Sequence, residues 1–277
     1  MSRSPFSLFS QQYFAALLNS FGTVYLNEPV PRNPKLRIYK HPARSDFGTA
    51  VLGALTEGSP QVWVNPEIIA EAEVVDVLFE PDPTASKAVL GILGDLLIQP
   101  CIIESLRSLP TSWEFRACLG HWLRWQVESD GSIIPVDEAA PIDNEDACEE
   151  NDEAEELECD RRLLVIVPQM TAQQLEGWGA RLSGCQIAGL YELPPIYATT
   201  IVCTRELPET AETLWLRLLS RGSTQRKAIQ DLIKLEPNHP LRSVTLHSLQ
   251  SWYQRLSEDT QNRESKLLMQ LLSQIEL

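Results

Sequence analysis

Two apolar segments, each carrying one carboxylate, most strongly constrain the fold of this chain. Asp76 lies within the β-prone run 73–79, and Glu104 ends the apolar run 100–104. An ionised carboxylate costs several kcal/mol to bury without a partner. Each position therefore requires a cation, a hydrogen-bond network or a strand end. A divalent metal held between Asp76 and Glu104 is one hypothesis that meets this requirement.

The strongest periodic patterns predict an α/β protein. A continuous apolar run at 163–168 is typical of a strand buried on both faces, which requires a central sheet covered by helices. Amphipathic spacing predicts a helix over 6–21, and the capping box of Thr111 and Glu114 predicts a second helix. The chain after residue 241 is expected to form a helical C-terminal region. We therefore predict a mixed central sheet of roughly five to seven strands, flanked by helices.

Weaker patterns predict shorter elements between these anchors. Helices are expected at 84–98, 171–182 and 207–222, where capping residues precede apolar positions. Strands are expected at 185–191 and 197–204, and the Pro-Pro pair between them indicates a turn.

The acidic residues are concentrated in one segment. The 277-residue chain has a net charge of -15, but 13 of its 38 acidic residues lie between positions 137 and 160, where no basic residue occurs. Without that segment, 25 acidic residues face 23 basic ones, a balance of -2, so the acidity does not exclude a DNA partner. The composition predicts a disordered acidic insertion at 137–160. It divides the α/β core into residues 1–136 and 161–277.

Several functional classes lack their sequence signatures. The chain has no phosphate-binding glycine-rich loop, nucleophile elbow or zinc-protease motif. Its six cysteines form no C-x-x-C pair, which favours reduced thiols. No apolar run reaches the roughly 18 residues of a membrane span, and the N-terminus has no uninterrupted signal-peptide core. We therefore expect a cytoplasmic protein that does not enter a membrane.

Two basic stretches and one histidine are compatible with either a functional or a structural role. The basic residues at 32–44 either contact phosphates or protect an exposed edge strand. A second cluster either binds phosphate or stabilises a helix end; it comprises Arg217, Arg221, Arg226 and Lys227. His121 shares a helix face with tryptophans, and we expect a core histidine there rather than a catalytic one.

The order of these elements resembles the PD-(D/E)XK nuclease superfamily: a helix, then strands carrying Asp76 and Glu104, then a helix and a buried strand. Segments 90–104 and 206–219 are also similar to cyanobacterial proteins related to recombination-promoting nucleases and transposase-like families. The resemblance spans most of the chain, with 137–160 as an insertion.

The resemblance implies a restriction-endonuclease-like fold and a divalent-metal-dependent nuclease acting on DNA phosphodiesters. In that superfamily an Asp and the Glu of an E-x-K element hold magnesium, and the lysine positions or activates the attacking water. Asp76 and Glu104 are thus the expected Mg²⁺ ligands and catalytic residues. Leu106 stands where the lysine is expected, so Lys87 is the candidate catalytic replacement.

These departures from the family pattern also favour an alternative function. An inactive protein of the same fold would serve as a protein-interaction module, through the acidic insertion or the C-terminal helices. Asp76 would then pair with Arg37 or Arg107, and Glu104 would accept backbone N–H bonds at a strand end. Strand alternation places Arg107 on the sheet face opposite Glu104.

Overall fold

The described part of the chain contains one mixed seven-stranded sheet. The computed structural model describes residues 5–29, 75–129 and 161–259. The strands are β1 (Gly22–Leu26), β2 (Val77–Pro81), β3 (Cys101–Ser105), β4 (Arg162–Val167), β5 (Arg181–Leu182), β6 (Leu190–Glu192) and β7 (Thr199–Cys203). Their order across the sheet is β1-β2-β3-β4-β7-β6-β5. Strands β3, β4 and β7 are parallel, and both flanks of the sheet pair antiparallel.

Helices cover both faces of this sheet. They are α1 (Pro5–Leu18), α2 (Ile92–Leu96), α3 (Ser112–Ser129), α4 (Ala172–Gly177), α5 (Leu214–Arg217), α6 (Gly222–Lys234) and α7 (Arg242–Asp259). Helices α3 and α4 pack on one face, and the other five pack on the opposite face. The predicted α/β class with a mixed sheet between helices is confirmed. None of the described helices combines the length and the apolar character needed to cross a bilayer.

Side chains alternate between two apolar cores along the central strands. Val77 and Ile103 belong to the first core, beneath α1, α2, α5, α6 and α7. Leu78 and Ile102 belong to the second core, beneath α3 and α4. Because strand side chains alternate, Glu104 belongs to the second-core face and therefore lies beneath α3.

Two predicted helices are shorter than the sequence indicates. The helix expected over 171–182 ends at Gly177, because Gly179 adopts a φ of 69° and the chain then forms β5. In the stretch 84–98 a single 3-10 turn precedes α2, and Gly91 separates them with a φ of 55°. A Cβ at Gly91 would lie 2.5 Å from the carbonyl oxygen of Glu212, so only glycine allows this close approach.

Other expectations are corrected or lie outside the described residues. The helix expected over 207–222 is helical only at Leu214–Arg217, and the strand expected at 185–191 pairs only from Leu190. The basic stretch 32–44 and the acidic segment 137–160 lie outside the described residues.

Candidate functional site

Asp76 and Glu104 lie at the same end of the neighbouring antiparallel strands β2 and β3. In the register of these strands Val77 is opposite Ile103; Asp76 immediately precedes Val77, and Glu104 immediately follows Ile103. The negative charge of Asp76 raises the pKa of the Glu104 carboxyl, and the backbone N–H of Asp76 lowers it. The structure therefore places the two carboxylates that the sequence singled out within electrostatic reach of each other.

The sequence had predicted that Asp76 lies in mid-strand. In the structure it lies at a bend immediately before β2. Helix α1 fixes the orientation of its half-buried carboxylate. The hydroxyl of Ser7 donates to Asp76 Oδ1 at 2.6 Å, and Gln11 Nε2 donates to the same oxygen at 2.9 Å. Ser7 and Gln11 are four residues apart and therefore share one face of the helix.

Glu104 is buried and contacts helix α3 through His121. Its exposed fraction is 6%, and its Oε1 lies 3.0 Å from Nδ1 of His121. Burial raises the pKa of the Glu104 carboxyl above its ordinary value. The hydrogen bond with His121 opposes this shift, and the negative charge of Asp76 adds to it. Glu104 thus carries a burial cost that its protein partners offset only in part.

Cys118, on α3, is buried within electrostatic reach of the two carboxylates. Burial raises the pKa of its thiol well above the ordinary value, and the charges of Glu104 and Asp76 raise it further. The thiol therefore stays protonated at neutral pH and is a poor metal ligand, because metals bind the thiolate.

Lys87 does not accompany the carboxylates. Its ammonium donates to the carbonyl oxygens of Asp82 at 2.8 Å and Ala85 at 3.4 Å, beyond the opposite end of β2. The six residue steps from Asp76 to Asp82 span about 20 Å at roughly 3.3 Å per step. Lys87 is therefore remote from the site to which the sequence reasoning assigned it.

The two residues that follow β3 diverge as strand alternation predicts. The half-buried side chain of Leu106 packs against the second core, on the Glu104 side of the sheet. The guanidinium of Arg107 lies on the other side, 5.0 Å from the ring centroid of Phe6 and 4.8 Å from that of Trp252. Leu106, an apolar residue that packs in the second core, thus occupies the sequence position of the expected lysine.

Sequence reasoning missed the residues that hold the carboxylates in place. Ser7 and Gln11 are two of the four Ser and Gln residues of α1 and lie four apart, which places them on one face but does not identify their partner. His121 was expected to be a core histidine; its side chain is 16% exposed, and its ring contacts Glu104. That contact depends on how α3 crosses the sheet, which local sequence does not specify.

The donor set of this site suits a hard divalent cation. Among the described residues, no three His, Cys, Asp or Glu side chains are arranged as a metal-binding group. Mg²⁺, however, usually keeps several waters and takes only one or two protein carboxylates together with substrate phosphates. Asp76 and Glu104 are two such carboxylates, and a cation between them would offset the burial cost of Glu104. Asp76 and Glu104 are therefore the residues that could hold such an ion.

Comparison with protein-family models, with curated proteins and with solved structures finds no match in any of the three.

Proposed function

We propose that the chain is a divalent-metal-dependent nuclease-like protein acting on DNA phosphodiesters, with Asp76 and Glu104 as its metal ligands. One observation carries this proposal. Asp76 and Glu104 flank the register pair Val77–Ile103 at one end of β2 and β3, and the charge of Asp76 raises the pKa of Glu104, although the two residues are 28 positions apart in the chain. A metal site is one physical reason to place two acidic groups near each other in a partly buried region.

The topology around the site also supports the proposal. Within the described ranges 5–29, 75–129 and 161–259, the elements α1, β1, β2, β3, α3 and β4 occur in this order, with a 3-10 turn and the short helix α2 between β2 and β3. Strands β1 to β4 are neighbours in the same order, with two antiparallel pairs and then one parallel pair. This arrangement agrees with the helix and strand order on which the resemblance to PD-(D/E)XK nucleases depends, and favours a restriction-endonuclease-like core.

The side chains that contact the two carboxylates would position them in such a site. A bound divalent ion would lower the pKa of its water and neutralise charge that develops on the phosphate. Ser7 and Gln11 would fix the orientation of the Asp76 carboxylate by donating to its Oδ1. His121 fixes the rotamer of Glu104 from the opposite face of the sheet to α1.

A second candidate function follows from the position of Lys87. Leu106 occupies the position of the expected lysine, and Lys87 is held near the other end of β2. Neither position therefore provides a lysine that could assist the attacking water. An inactive nuclease-fold protein that binds a protein partner, through segment 137–160 or the C-terminal helices, fits this observation.

The proposal is tested by calorimetric titration of Mn²⁺ into the wild-type chain and into Asp76→Asn. Residues 137–160 are deleted from both proteins, because their 13 acidic side chains would bind the ion themselves. We expect one binding event that Asp76→Asn abolishes. A matched control is Asp95→Asn, which removes an exposed carboxylate in α2 and should bind Mn²⁺ like the wild type.

The outcomes separate the two candidate functions. Binding that persists unchanged in Asp76→Asn would refute the metal site. If neither protein binds Mn²⁺, the inactive interaction module is favoured. If the wild type binds Mn²⁺, nicking of supercoiled DNA with Mg²⁺ then decides whether the site is active.

A further inference from the structure

Helix α3 carries a second stripe on the side that faces away from the sheet. Its first stripe is buried in the second core and consists of Phe115, Cys118, Leu119 and Trp122. At about 100° per residue, the second stripe lies opposite the first; it consists of Trp113, Ala117, Gly120 and Arg124. Trp113 is 77% exposed, and Leu123 beside the stripe is 49% exposed. Exposed apolar residues that follow one another along a helix are characteristic of an interaction surface.

Gly120 lies in the middle of α3, where the fold of one chain does not require a glycine. It is not among the described glycines that adopt a positive φ. A Cβ at this position would meet no atom of the described chain within 4 Å. A glycine inside a helix makes the helix less stable than an alanine does. Close approach of a second backbone to this point of α3 would explain the glycine.

The stripe is complementary to itself when two copies of the helix pack antiparallel. Trp113 is near one end, the small residues Ala117 and Gly120 are in the middle, and Arg124 is near the other end. A twofold axis between Ala117 and Gly120 would bring these two residues of opposite copies together. The same axis would place the ring of Trp113 beside the guanidinium of Arg124 in the second copy, a favourable cation–π pair.

The charges beside the stripe favour the antiparallel arrangement over the parallel one. Glu114 lies in the first turn of α3, and Arg124 follows it by ten residues. An antiparallel second copy would bring Glu114 of each chain near Arg124 of the other, so that two opposite-charge pairs form. A parallel second copy would oppose like charges at both positions, which is unfavourable.

We infer that the outer face of α3 is the contact surface of a homodimer, in which two copies of the helix pack antiparallel about Ala117 and Gly120. The inference goes beyond the proposed function and does not depend on the metal site. One helix pair is smaller than the roughly 800 Å² per partner of a standard interface. The dissociation constant is therefore expected in the micromolar range.

The test is sedimentation velocity of the full chain between about 1 and 300 μM, which spans such a dissociation constant. Trp113→Ala should raise the constant by about tenfold or more, because buried tryptophans contribute strongly to interfaces. Gly120→Gln should raise it by a similar factor, because its side chain would separate the two backbones. In the monomer that side chain enters open space on a helix, so the melting temperature should not fall.

The antiparallel arrangement is tested by reversing its charges. Arg124→Glu alone and Glu114→Arg alone should each weaken the homodimer, because each places like charges opposite each other. A mixture of the two variants should form a heterodimer, in which both opposite-charge pairs are restored. Two weakened variants that do not associate when mixed would overturn the antiparallel arrangement.

Leu182→Ala is the matched control. Leu182 is 49% exposed, like Leu123, but lies on β5 at the edge of the sheet, so its loss should leave the dissociation constant unchanged. A monomer at every concentration would overturn the inference, whether the stripe is open or covered by another segment of the same chain. A dimer that neither Trp113→Ala nor Gly120→Gln weakens would overturn it as well, because the contact would then lie elsewhere.

Discussion

Replacing Glu104 by glutamine is expected to make the protein more stable at neutral pH, because the fold buries a charge that the amide lacks. Glu104 is 6% exposed, and burial together with the Asp76 charge raises its pKa. Each unit by which the fold raises a carboxyl pKa corresponds to about 1.4 kcal/mol by which it disfavours the charged form, a cost that the amide does not carry. The hydrogen bond with His121 offsets part of the burial cost, so we expect a net gain of about 1 kcal/mol. In a chain of this size the melting temperature should rise by about 2–4 °C.

The effect has a definite pH dependence. The folded pKa of Glu104 is raised above the unfolded value, so its protonated form contributes stability at low pH. Below the unfolded pKa the wild type and Glu104→Gln should therefore be equally stable. As the pH rises through the folded pKa, the wild type loses that contribution, and the advantage of the variant grows to a plateau.

Urea unfolding at several pH values measures this difference. Glu176→Gln is the matched control, because Glu176 is exposed on α4 and its replacement should change stability by less than about 0.5 kcal/mol. If Glu104→Gln is less stable than the wild type at neutral pH, the ionised carboxylate stabilises the fold. This result would refute the argument that the Glu104 carboxylate is buried in order to bind a cation, since residues kept for function commonly lower the stability of the fold.

Three further results are expected. Ser7→Ala should weaken Mn²⁺ binding about 10- to 100-fold in calorimetry, because outer groups orient metal ligands; unchanged affinity would show that α1 does not orient Asp76. Phe9→Ala should lower the free energy of unfolding in urea by about 3–5 kcal/mol, because its 2%-exposed ring stacks 4.0 Å from that of Trp252. Deletion of 137–160 should leave the melting temperature nearly unchanged, and a large drop would show that the segment packs on the fold.

The parts of the fold that the sequence predicted are those whose signals are local. The apolar run at 163–168 became β4, a strand with parallel neighbours on both sides and cores on both faces. Thr111 and Glu114 form the predicted capping box at the start of α3, with both backbone and side-chain hydrogen bonds present. In each case the residues that carry the pattern also make the contacts that the pattern predicts.

The parts that the sequence did not predict depend on contacts between distant segments. Asp76 is oriented by Ser7, 69 residues earlier, and no periodicity reports that pairing. Lys87 was assigned to the site because Leu106 stands where the lysine is expected and Lys87 lies in the segment between the two carboxylates. Its ammonium instead satisfies carbonyl groups of its own turn. Gly179 ended one predicted helix early and Gly91 interrupted another, and each adopts a positive φ. At Gly91 the backbone of Glu212 also leaves no room for a Cβ.

The position of Leu106 gives the sharpest test of the nuclease-like core. Leu106 lies on the same side of the sheet as Glu104 and follows it by two residues. In the superfamily that the chain resembles, this is the position of the lysine of the E-x-K element. A lysine at a half-buried site can pack its aliphatic stem against the core and extend its ammonium toward the carboxylates. Leu106→Lys should therefore increase Mg²⁺-dependent nicking of supercoiled DNA. The size-matched Leu106→Met should not, and adding Asp76→Asn should abolish the gain. If Leu106→Lys folds and binds Mn²⁺ but shows no more nicking than Leu106→Met, the carboxylate pair is a cation site without hydrolytic geometry.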